Sequence, residues 1–570
     1  NIYLVRDKDH PELLPQVGVP QGGLLNQNEA ALHSWLARIA VDYEKTFGQH
    51  DVKGFAFAEA RHALRTSTPF SGYGIQYDRG NQVYHTPLMF QKLADEGESY
   101  FSLREQIDRG VTFSLNGTYG FAGKYVVNGV LNYESANTSG QRNGTLWLPT
   151  WNIGAKWNVD REEFLRAYPT ISKLALRLSY GLTAKMNEAA VNASAVYRNA
   201  LTPRQHLADR ENQLDILHLE NRDLTWEKMV EWNAGLELGL WDNRISATLD
   251  FYARNSYDLI DLVATSGVGG QYYKYANFGD MRTQGVELGL HTVNVKTSDF
   301  KWSTSLTFSA MHQEVTRLLN APTAFDMVAG RGRGNIVGFP RGSLFSFNYD
   351  GLDINGLPTF NFGRYPTNSG EYSHIAGADF SDTQYNKTYL RYHGPIEPQI
   401  TGGLSNTLSW KQWELSVFFT MQAGNKIRLN PTFDPSFADF NVFSTRYRDR
   451  WLNPGDELRT DVPVLPSQAL IEQVGRENIE RAYNTYNYSQ EMVADGSFVR
   501  LKNVALAYRL SESVAKKLSL SSATVRLNVT NPLLIYADPR LHGQDPEYYR
   551  SGGVALPTPR QVTLSLSLGF

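Results

Sequence analysis

The 570-residue chain contains no cysteine, which excludes disulfide bonds, cysteine-ligated zinc, iron–sulfur clusters and thiol chemistry. It also lacks a strong excess of charge, because 55 Lys and Arg face 58 Asp and Glu for a formal net charge of -3. This balance argues against a nucleic-acid-binding stripe and against an acidic disordered tail. No apolar run approaches the roughly 20 residues that a membrane-spanning helix needs, so the sequence predicts no transmembrane helix.

Aromatic residues and glycine are abundant. Aromatic side chains make up 12% of the chain, with 31 Tyr and 28 Phe, and there are 47 Gly. The mean hydropathy of -0.39 is low for a membrane protein. A transmembrane β-barrel is compatible with this value, because its strands need only about 9–11 residues and their inward side chains are polar.

The last ten residues carry the clearest periodicity. Small polar residues alternate without interruption with apolar ones, which are Val562, Leu564, Leu566, Leu568 and Phe570. A period of two places all of these apolar side chains on one face of a β-strand. The same alternation recurs in segments 232–240, 245–252, 302–308, 413–419 and 525–530. The pattern predicts an all-β chain.

We predict about seventeen strands, joined alternately by short turns and long loops. They are expected near 35–46, 52–62, 108–119, 124–134, 149–158, 171–182, 226–240, 243–257, 280–294, 300–313, 340–350, 357–363, 398–410, 413–423, 497–510, 522–532 and 560–570. A soluble β-sandwich also alternates apolar and polar residues, but its strands are about 5–6 residues long. Longer strands with connections of two very different lengths favour a transmembrane antiparallel β-barrel with short periplasmic turns and long extracellular loops.

The odd strand count predicts that the chain forms only part of a barrel. If the last strand ends in the periplasm, the first strand also runs towards the periplasm, and residues 1–34 form an extracellular loop segment. Complete barrels of this kind have an even number of strands, because an open edge in lipid leaves backbone N–H and C=O groups unpaired. We therefore expect residues 35–570 to be a partial barrel that a companion amino-terminal fragment or chain completes.

Short motifs spread over the whole chain resemble one family. They include Asn-Arg-Asp-Leu-Thr-Trp-Glu-Lys at 221–228, Asn-Phe-Gly at 277–279, Gly-Val-Glu-Leu at 285–288, Arg-Trp-Leu-Asn-Pro-Gly-Asp at 450–456, Phe-Val-Arg-Leu-Lys-Asn-Val at 498–504 and Pro-Thr-Pro-Arg at 557–560. Each motif is weak alone, but together they are specific. On these residues the chain resembles the SusC/RagA class of TonB-dependent outer-membrane transporters of Bacteroidetes.

The resemblance implies a 22-stranded barrel in the bacterial outer membrane, of which this chain would supply strands 6–22. It also implies an amino-terminal plug and a TonB-contacting segment, neither of which has a match here, and a SusD-like surface lipoprotein that acts as a lid. The implied activity is uptake of oligosaccharides or peptides by a dimer of transporter–lipoprotein pairs. Because this activity involves no covalent chemistry, we expect no catalytic residue. We predict no cofactor and assign no metal site, while dependence on a metal stays open.

Two other functions stay open on the sequence. A passive outer-membrane porin shares the strands but needs neither a plug nor a lid. A glycan-binding surface β-protein would also present aromatic loops, although the long strands argue against it. Conductance in a planar bilayer separates a porin from a plugged importer, and solubility without detergent would indicate the surface protein.

Tyrosine and arginine side chains in the long loops are the candidate ligand-binding residues. Tyrosine rings stack on the apolar faces of sugars or peptides, while hydroxyl groups make directional hydrogen bonds. The candidates are Tyr272, Tyr273, Tyr275, Arg331, Arg333, Tyr483, Tyr486 and Tyr488. The competing role for each tyrosine is in the aromatic girdle of the barrel or in packing against the lid.

Two conspicuous motifs have structural interpretations. Trp226 opens a predicted strand at the outer rim, where tryptophan favours the membrane interface, so we expect it to anchor the barrel there. Residues 353–356 resemble part of a calcium loop but lack its later bidentate Glu, and an Asn-Gly turn between strands is the better prediction.

Overall fold

The alternation of apolar and polar residues is realised in one very large antiparallel sheet. The structure is a computed structural model that describes residues 4–5, 16–17, 22–83, 89, 93, 99–137, 147–185, 196–201, 211–218, 224–267, 273–319, 321–329, 334–361, 390–433, 445–549 and 558–570. Within these ranges, no helix is both long enough and apolar enough to cross a membrane.

The described strands are numbered in chain order. The first are β1 Leu4–Val5, β2 Gln16–Val17, β3 Gly23–Phe47, β4 His50–Gln76, β5 Gln82–Val83, β6 Arg104–Phe121, β7 Tyr125–Ala136, β8 Trp147–Asn158, β9 Ile171–Lys185, β10 Val196–Leu201, β11 Asn212–His218, β12 Glu227–Leu240 and β13 Ile245–Ala264. They are followed by β14 Tyr273–Lys296, β15 Phe300–Leu318, β16 Ser343–Phe347, β17 Tyr349–Leu352, β18 Pro358–Phe360, β19 Leu390–Pro395, β20 Ile400–Trp410, β21 Trp413–Ala423, β22 Lys426–Arg428, β23 Val493–Asp495, β24 Phe498–Arg509, β25 Ser522–Tyr536 and β26 Gln561–Gly569. The described α-helices are α1 Ala324–Ala329, α2 Gln468–Val474, α3 Arg476–Asn487 and α4 Glu512–Lys517.

Fifteen of these strands form a continuous wall, in which each strand pairs with the next wall strand along the chain. The order is β3-β4-β6-β7-β8-β9-β12-β13-β14-β15-β20-β21-β24-β25-β26, with β5 paired to the end of β4. This up-and-down antiparallel order confirms the predicted fold class. Strands β3 and β26 end the path, and no pairing between them is seen among the described residues.

Two of the about seventeen predicted strands lie outside the wall that the described residues form. Segments 340–350 and 357–363 form β16, β17 and β18, which lie in separate two-stranded sheets and not in the wall. All five residues of β16 are buried, so this strand has no face for lipid or water. The wall strands also run further than predicted, and β3 begins at Gly23, so residues 23–34 belong to the wall sheet.

The outward face of the wall is apolar and open to its surroundings. On β26, Val562, Leu564 and Leu566 are 68%, 72% and 64% exposed, and the cross-strand neighbour of Leu566 is Val525. Leu178 on β9 and Phe251 on β13 are also exposed. So much exposed apolar surface is incompatible with a water-soluble body and suits contact with lipid.

Stacked aromatic pairs mark two levels on this face. Tyr125 and Trp157 stack with ring centroids 6.3 Å apart near the short-turn end, and Tyr133 and Trp147 stack 4.8 Å apart higher on the wall. Tyr125 and Tyr133 are eight residues apart on β7, about 26 Å along the strand. Because strands of outer-membrane barrels tilt by about 35–45°, this length corresponds to roughly 20 Å of height, comparable with the roughly 25 Å apolar band between the two aromatic girdles.

The predicted short turns that join wall strands lie at one end of the wall, whereas the predicted turn at 353–356 joins β17 to β18 outside the wall. Trp241, Asp242 and Asn243 join β12 to β13 with φ angles of 50°, 54° and 60°. Left-handed backbone at successive residues is what tight hairpins need to match the twist of their strands. Since the strands are antiparallel, the long connections must all lie at the opposite end of the wall.

Candidate ligand-binding region on the long loops and inner wall

Three of the long connections fold into a packed unit, here called the loop body, whose described part comprises residues 321–329, 334–361, 390–399, 424–433, 445–497 and 537–549. Its core is rich in aromatic side chains and includes Phe345, Phe347, Tyr349, Phe360, Phe433, Tyr483, Tyr486, Met492 and Leu541. The described part of these loops therefore has its own hydrophobic core at the end of the wall opposite the short turns.

Helix α3 owes its position to an apolar stripe. Ile479, Ala482, Tyr483 and Tyr486 are buried, and their spacing of three and four residues puts them on one helix face. The preceding helix α2 begins at a serine cap, where the Ser467 hydroxyl accepts the Leu470 N–H. The local sequence thus builds a helical pair that presses tyrosines into the core of the loop body.

A buried ion pair fastens the last loop to the wall. Arg500 on β24 donates from Nη2 to Oδ1 of Asp545, and their side chains are only 4% and 0% exposed. The same Asp545 oxygen accepts the Glu547 N–H at 3.0 Å. This arrangement holds residues 537–549 against the beginning of β24, at the end of the wall where the long loops lie.

The turn predicted at residues 353–356 is confirmed. Oδ1 of Asp353 accepts the N–H groups of Asn355 and Leu357 at 2.9 and 2.8 Å. Gly356 has a φ of 77°, and a Cβ atom there would lie 2.5 Å from the Trp451 ring. The carboxylate is therefore occupied in forming a turn, and the glycine makes room for a ring.

Two predicted ligand-binding tyrosines lie inside the loop body. Tyr483 is 2% exposed and its hydroxyl donates to the Val464 carbonyl, while Tyr486 is 0% exposed. Burial raises the pKa of both phenols. Their position favours a packing role in this conformation, and their contact with a ligand stays a prediction.

Tyr488 is a predicted ligand-binding tyrosine whose ring lies beside an arginine. It is half-buried, and its ring centroid lies 5.3 Å from the guanidinium carbon of Arg428. Its edge also meets the ring of Phe325 at 6.1 Å, and Phe325 is 51% exposed. The ring therefore lies between a cation and an exposed aromatic surface.

The other predicted ligand-binding residues lie away from Tyr488 and Arg428 or outside the described residues. Tyr273 is 46% exposed at the start of β14, and Tyr275 packs against a small core of Leu224, Trp226 and Ile260. Trp226 is only 5% exposed, so its predicted place at the membrane interface is wrong: it anchors by internal packing. The other candidates lie outside the described residues: Tyr272, Arg331 and Arg333.

Sequence reasoning missed a cluster of basic residues near Tyr488. It comprises Arg391 and His393 on β19 and Arg428 on β22. His393 Nε2 lies 2.6 Å from the Ser346 hydroxyl, and burial, helped by nearby cations including Arg391 and Arg428, lowers the pKa of His393 to about 4. The only available signal was a pair of cationic residues two positions apart in Arg391-Tyr392-His393 and in Lys426-Ile427-Arg428.

Ion pairs cross the inward face of the wall. Lys156 Nζ lies 2.9 Å from Glu237 Oε2, and Arg177 Nη2 lies 3.0 Å from Asp250 Oδ1. Glu287 is the cross-strand neighbour of Asp250. The inward face is therefore hydrophilic, in contrast to the apolar outer face.

A recess of about 550 Å³ opens on this inward face. Its lining includes Asp250, Glu287 and the Phe418 ring, together with several Thr and Ser hydroxyl groups. A Cβ atom at Gly403 would lie 3.1 Å from the Phe418 ring, so the glycine leaves space for it. The recess combines an aromatic face with carboxylates and hydroxyl groups.

A single outward apolar band, a charged inward face and long loops at one end define an outer-membrane barrel wall. The family model described as TonB dependent receptor-like, beta-barrel matches residues 23–531. The chain belongs to this family, whose members are outer-membrane transporters and not enzymes.

Two relatives illustrate the similarity. TonB-dependent receptor P3 of Formosa agariphila is 26% identical over 533 residues, which cover 89% of this chain and 48% of that protein. TonB-dependent receptor SusC of Bacteroides thetaiotaomicron is 24% identical over 550 residues, which cover 93% of this chain and 50% of that protein. The chain thus spans about half the length of the curated relatives it matches.

Solved structures agree on the fold. The RagAB peptide transporter superposes with a TM-score of 0.72 at 22% identity, covering 96% of this chain and 57% of that chain. The same importer in its open-open state gives a TM-score of 0.73. The chain therefore has the SusC/RagA-type barrel architecture of the outer membrane.

Proposed function

We propose that this chain is the barrel wall and loop body of a TonB-dependent importer that takes up oligosaccharides or peptides. The observation that carries the proposal is a wet, ion-paired inner wall that leads to a folded loop body at one end. A hydrophilic ligand held by that body could descend along the charged face without contact with lipid. The similarity to the RagAB peptide transporter supports the peptide class, and the resemblance to the SusC/RagA class keeps oligosaccharides as the other.

The proposed partners follow from the surfaces that the wall leaves uncovered. Strands β3 and β26 end the sheet, and unpaired backbone groups in lipid cost several kcal/mol each, so further strands close the barrel. We propose that a companion amino-terminal part supplies these strands and a plug that TonB contacts. A SusD-like lipoprotein would cover the loop body, and two such pairs would form a dimer. We propose that residues 1–34 are extracellular, with residues 23–34 extending the wall beyond the membrane, and that residues 35–570 hold the membrane-embedded part of the barrel.

Uptake by cells tests this function. A deletion strain and its complemented parent are compared for uptake of radiolabelled oligosaccharides and peptides, with and without a protonophore. We expect the deletion to abolish uptake of one ligand class, and the protonophore to do the same in the parent. Complementation with Lys516→Ala, an exposed change on α4 at the short-turn end, serves as the control and should restore uptake.

The result that contradicts the proposal is equally concrete. Uptake that survives the protonophore, together with steady conductance of the complete barrel in a planar bilayer, would indicate a passive porin. Unchanged uptake of every ligand after deletion would remove the import function altogether.

A further inference from the structure

The strands β16, β19 and β22 of the loop body pack together and bring several basic side chains close to one another. β16 pairs with β19, and β22 packs against both. Arg391 and His393 lie on β19, and Arg428 is the last residue of β22. These residues come from segments far apart in the chain, so only the tertiary fold brings the cations together.

Arg428 is the centre of this cluster. Its Nη2 donates to the Phe345 carbonyl, but Nε and Nη1 are buried without a hydrogen-bond partner. No ion pair joins it to a carboxylate of the described residues, and its guanidinium carbon lies 5.3 Å from the centre of the Tyr488 ring. Burial lowers the pKa of Arg428 to about 10, which leaves it charged at neutral pH. Buried charged N–H groups without an acceptor are costly, so their presence needs an explanation.

The neighbouring cations divide into two kinds. Lys426 lies 3.1 Å from Asp495, and Arg540 lies 3.3 Å from Asp538, so both are neutralised. Arg391 is exposed and donates only to the neutral Gln490 side chain, at 3.0 Å. His393 is uncharged at neutral pH, since burial and these four cations lower its pKa to about 4. Among the described residues, Arg391 and Arg428 therefore remain as two positive charges without a counter-ion.

We propose that Arg391 and Arg428 bind an oxyanion, a carboxylate or sulfate group on the ligand that the loop body captures. The inference rests on the import function proposed above and adds that the imported ligand is acidic. Planar guanidinium groups hold such oxyanions by paired, charge-assisted hydrogen bonds. The Tyr488 ring lies against Arg428 and the exposed Phe325 ring meets Tyr488, so an aromatic surface adjoins Arg428 for the apolar part of the same ligand.

Small anions test the site without knowledge of the natural ligand. The complete transporter in detergent is titrated with sodium sulfate and with sodium acetate, each against sodium chloride at equal ionic strength. Binding is followed by calorimetry and by the midpoint of thermal unfolding. We expect at least one oxyanion to bind and to raise the midpoint more than chloride does, and Arg428→Met to weaken that binding about ten-fold or more. The pair of salts distinguishes a carboxylate from a sulfate preference.

Matched variants separate binding from folding. Arg476→Met removes the same charge from an exposed position on α3 and should leave the anion response intact. Sulfate also stabilises proteins generally. The informative quantity is therefore the part of the rise in unfolding midpoint that disappears in Arg428→Met but remains in Arg476→Met. Without oxyanion, Arg428→Met should melt no lower than the parent, because an apolar side chain replaces an uncompensated charge.

Two results would overturn the proposal. One is an equal response of the parent and Arg428→Met to every oxyanion. The other is an unchanged anion response accompanied by a looser complex between Arg428→Met and a companion surface protein, which would assign the cluster to a protein interface. Failure of cellular uptake with an intact anion response would instead count against the import function alone.

Discussion

Arg177 and Asp250 form an ion pair across Gly235 on the inner wall. The two charged residues lie on β9 and β13, with β12 between them, and Gly235 is the cross-strand neighbour of both. A Cβ atom at Gly235 would lie 2.6 Å from Asp250 Oδ1 and 3.0 Å from Arg177 Nη2. The pair can span three strands only because the middle residue has no side chain.

The first prediction concerns this glycine. Gly235→Ala should lower the free energy of unfolding by about 1 kcal/mol, because the methyl group separates a partly exposed ion pair. Gly129→Ala on β7 is the control, since a Cβ atom there meets nothing within 4 Å. Urea unfolding of the complete barrel in detergent measures both. Equal stability of the two variants would contradict this role for Gly235.

A second prediction concerns the buried pair that fastens the last loop. Arg500→Met leaves Asp545 buried without a counter-charge and should cost about 3–5 kcal/mol or detach residues 537–549. The double variant Arg500→Met with Asp545→Leu should recover part of that loss. Hydrogen exchange of the loop reports detachment. Arg476→Gln, which breaks the exposed ion pair with Glu480, is the control and should change stability by less than about 1 kcal/mol. An equally small effect at Arg500 would count against the prediction.

The third prediction is a pH dependence of the loop body. Burial and the cations Arg391, Arg428, Lys426 and Arg540 lower the pKa of His393 from 6.5 to about 4. Between these values the unfolded state binds more protons than the folded state, so stability falls as the pH is lowered through this window. The loss should be about 2 kcal/mol once solvent screening is discounted.

His393→Gln provides the measurement. Unfolding free energies of the parent and the variant are compared at pH 7 and at pH 4.5, with the exposed His312→Gln as the control. The parent should lose more stability on acidification than His393→Gln does. Parallel losses in all three proteins would show that His393 is not the group responsible.

The fourth prediction tests which face of the wall meets lipid. Leu404 and Ser405 are adjacent on β20, and Leu404 lies on the apolar outward face. Leu404→Lys should cost about 2–4 kcal/mol in folding into lipid vesicles, whereas Ser405→Lys should be tolerated because its side chain enters water. Gel mobility of folded and heated protein measures the difference. Comparable folding of the two variants would mean that the faces are assigned the wrong way round.

Strand alternation made the wall predictable, but it could not say where every strand would lie. Residues 561–569 alternate so regularly that β26 agrees with its prediction almost to the residue. Segment 343–347 has the same local propensity, yet all five of its residues are buried and it joins the loop body. Propensity identifies an extended chain, whereas burial on both faces depends on what packs around it.

The candidate site was less predictable than the wall. Tyr483 and Tyr486 were selected for their residue type, but the apolar stripe of α3 turns them into the core, a pattern that helical periodicity would have revealed. Arg428 carried no comparable local signal. Its importance comes from the absence of a carboxylate beside it in the described part of the loops, which is a property of their assembly.

The amino-acid sequence by itself determined the antiparallel wall, the face of each strand that meets lipid and the end at which the short turns lie. Local periodicity and turn chemistry are sufficient for these features, because backbone geometry imposes them residue by residue. Only the tertiary structure decided which loop residues are buried, where Arg177 finds Asp250 and why Arg428 lacks a counter-ion. These depend on contacts between segments that are distant in sequence, where packing and electrostatics act through space and not along the chain.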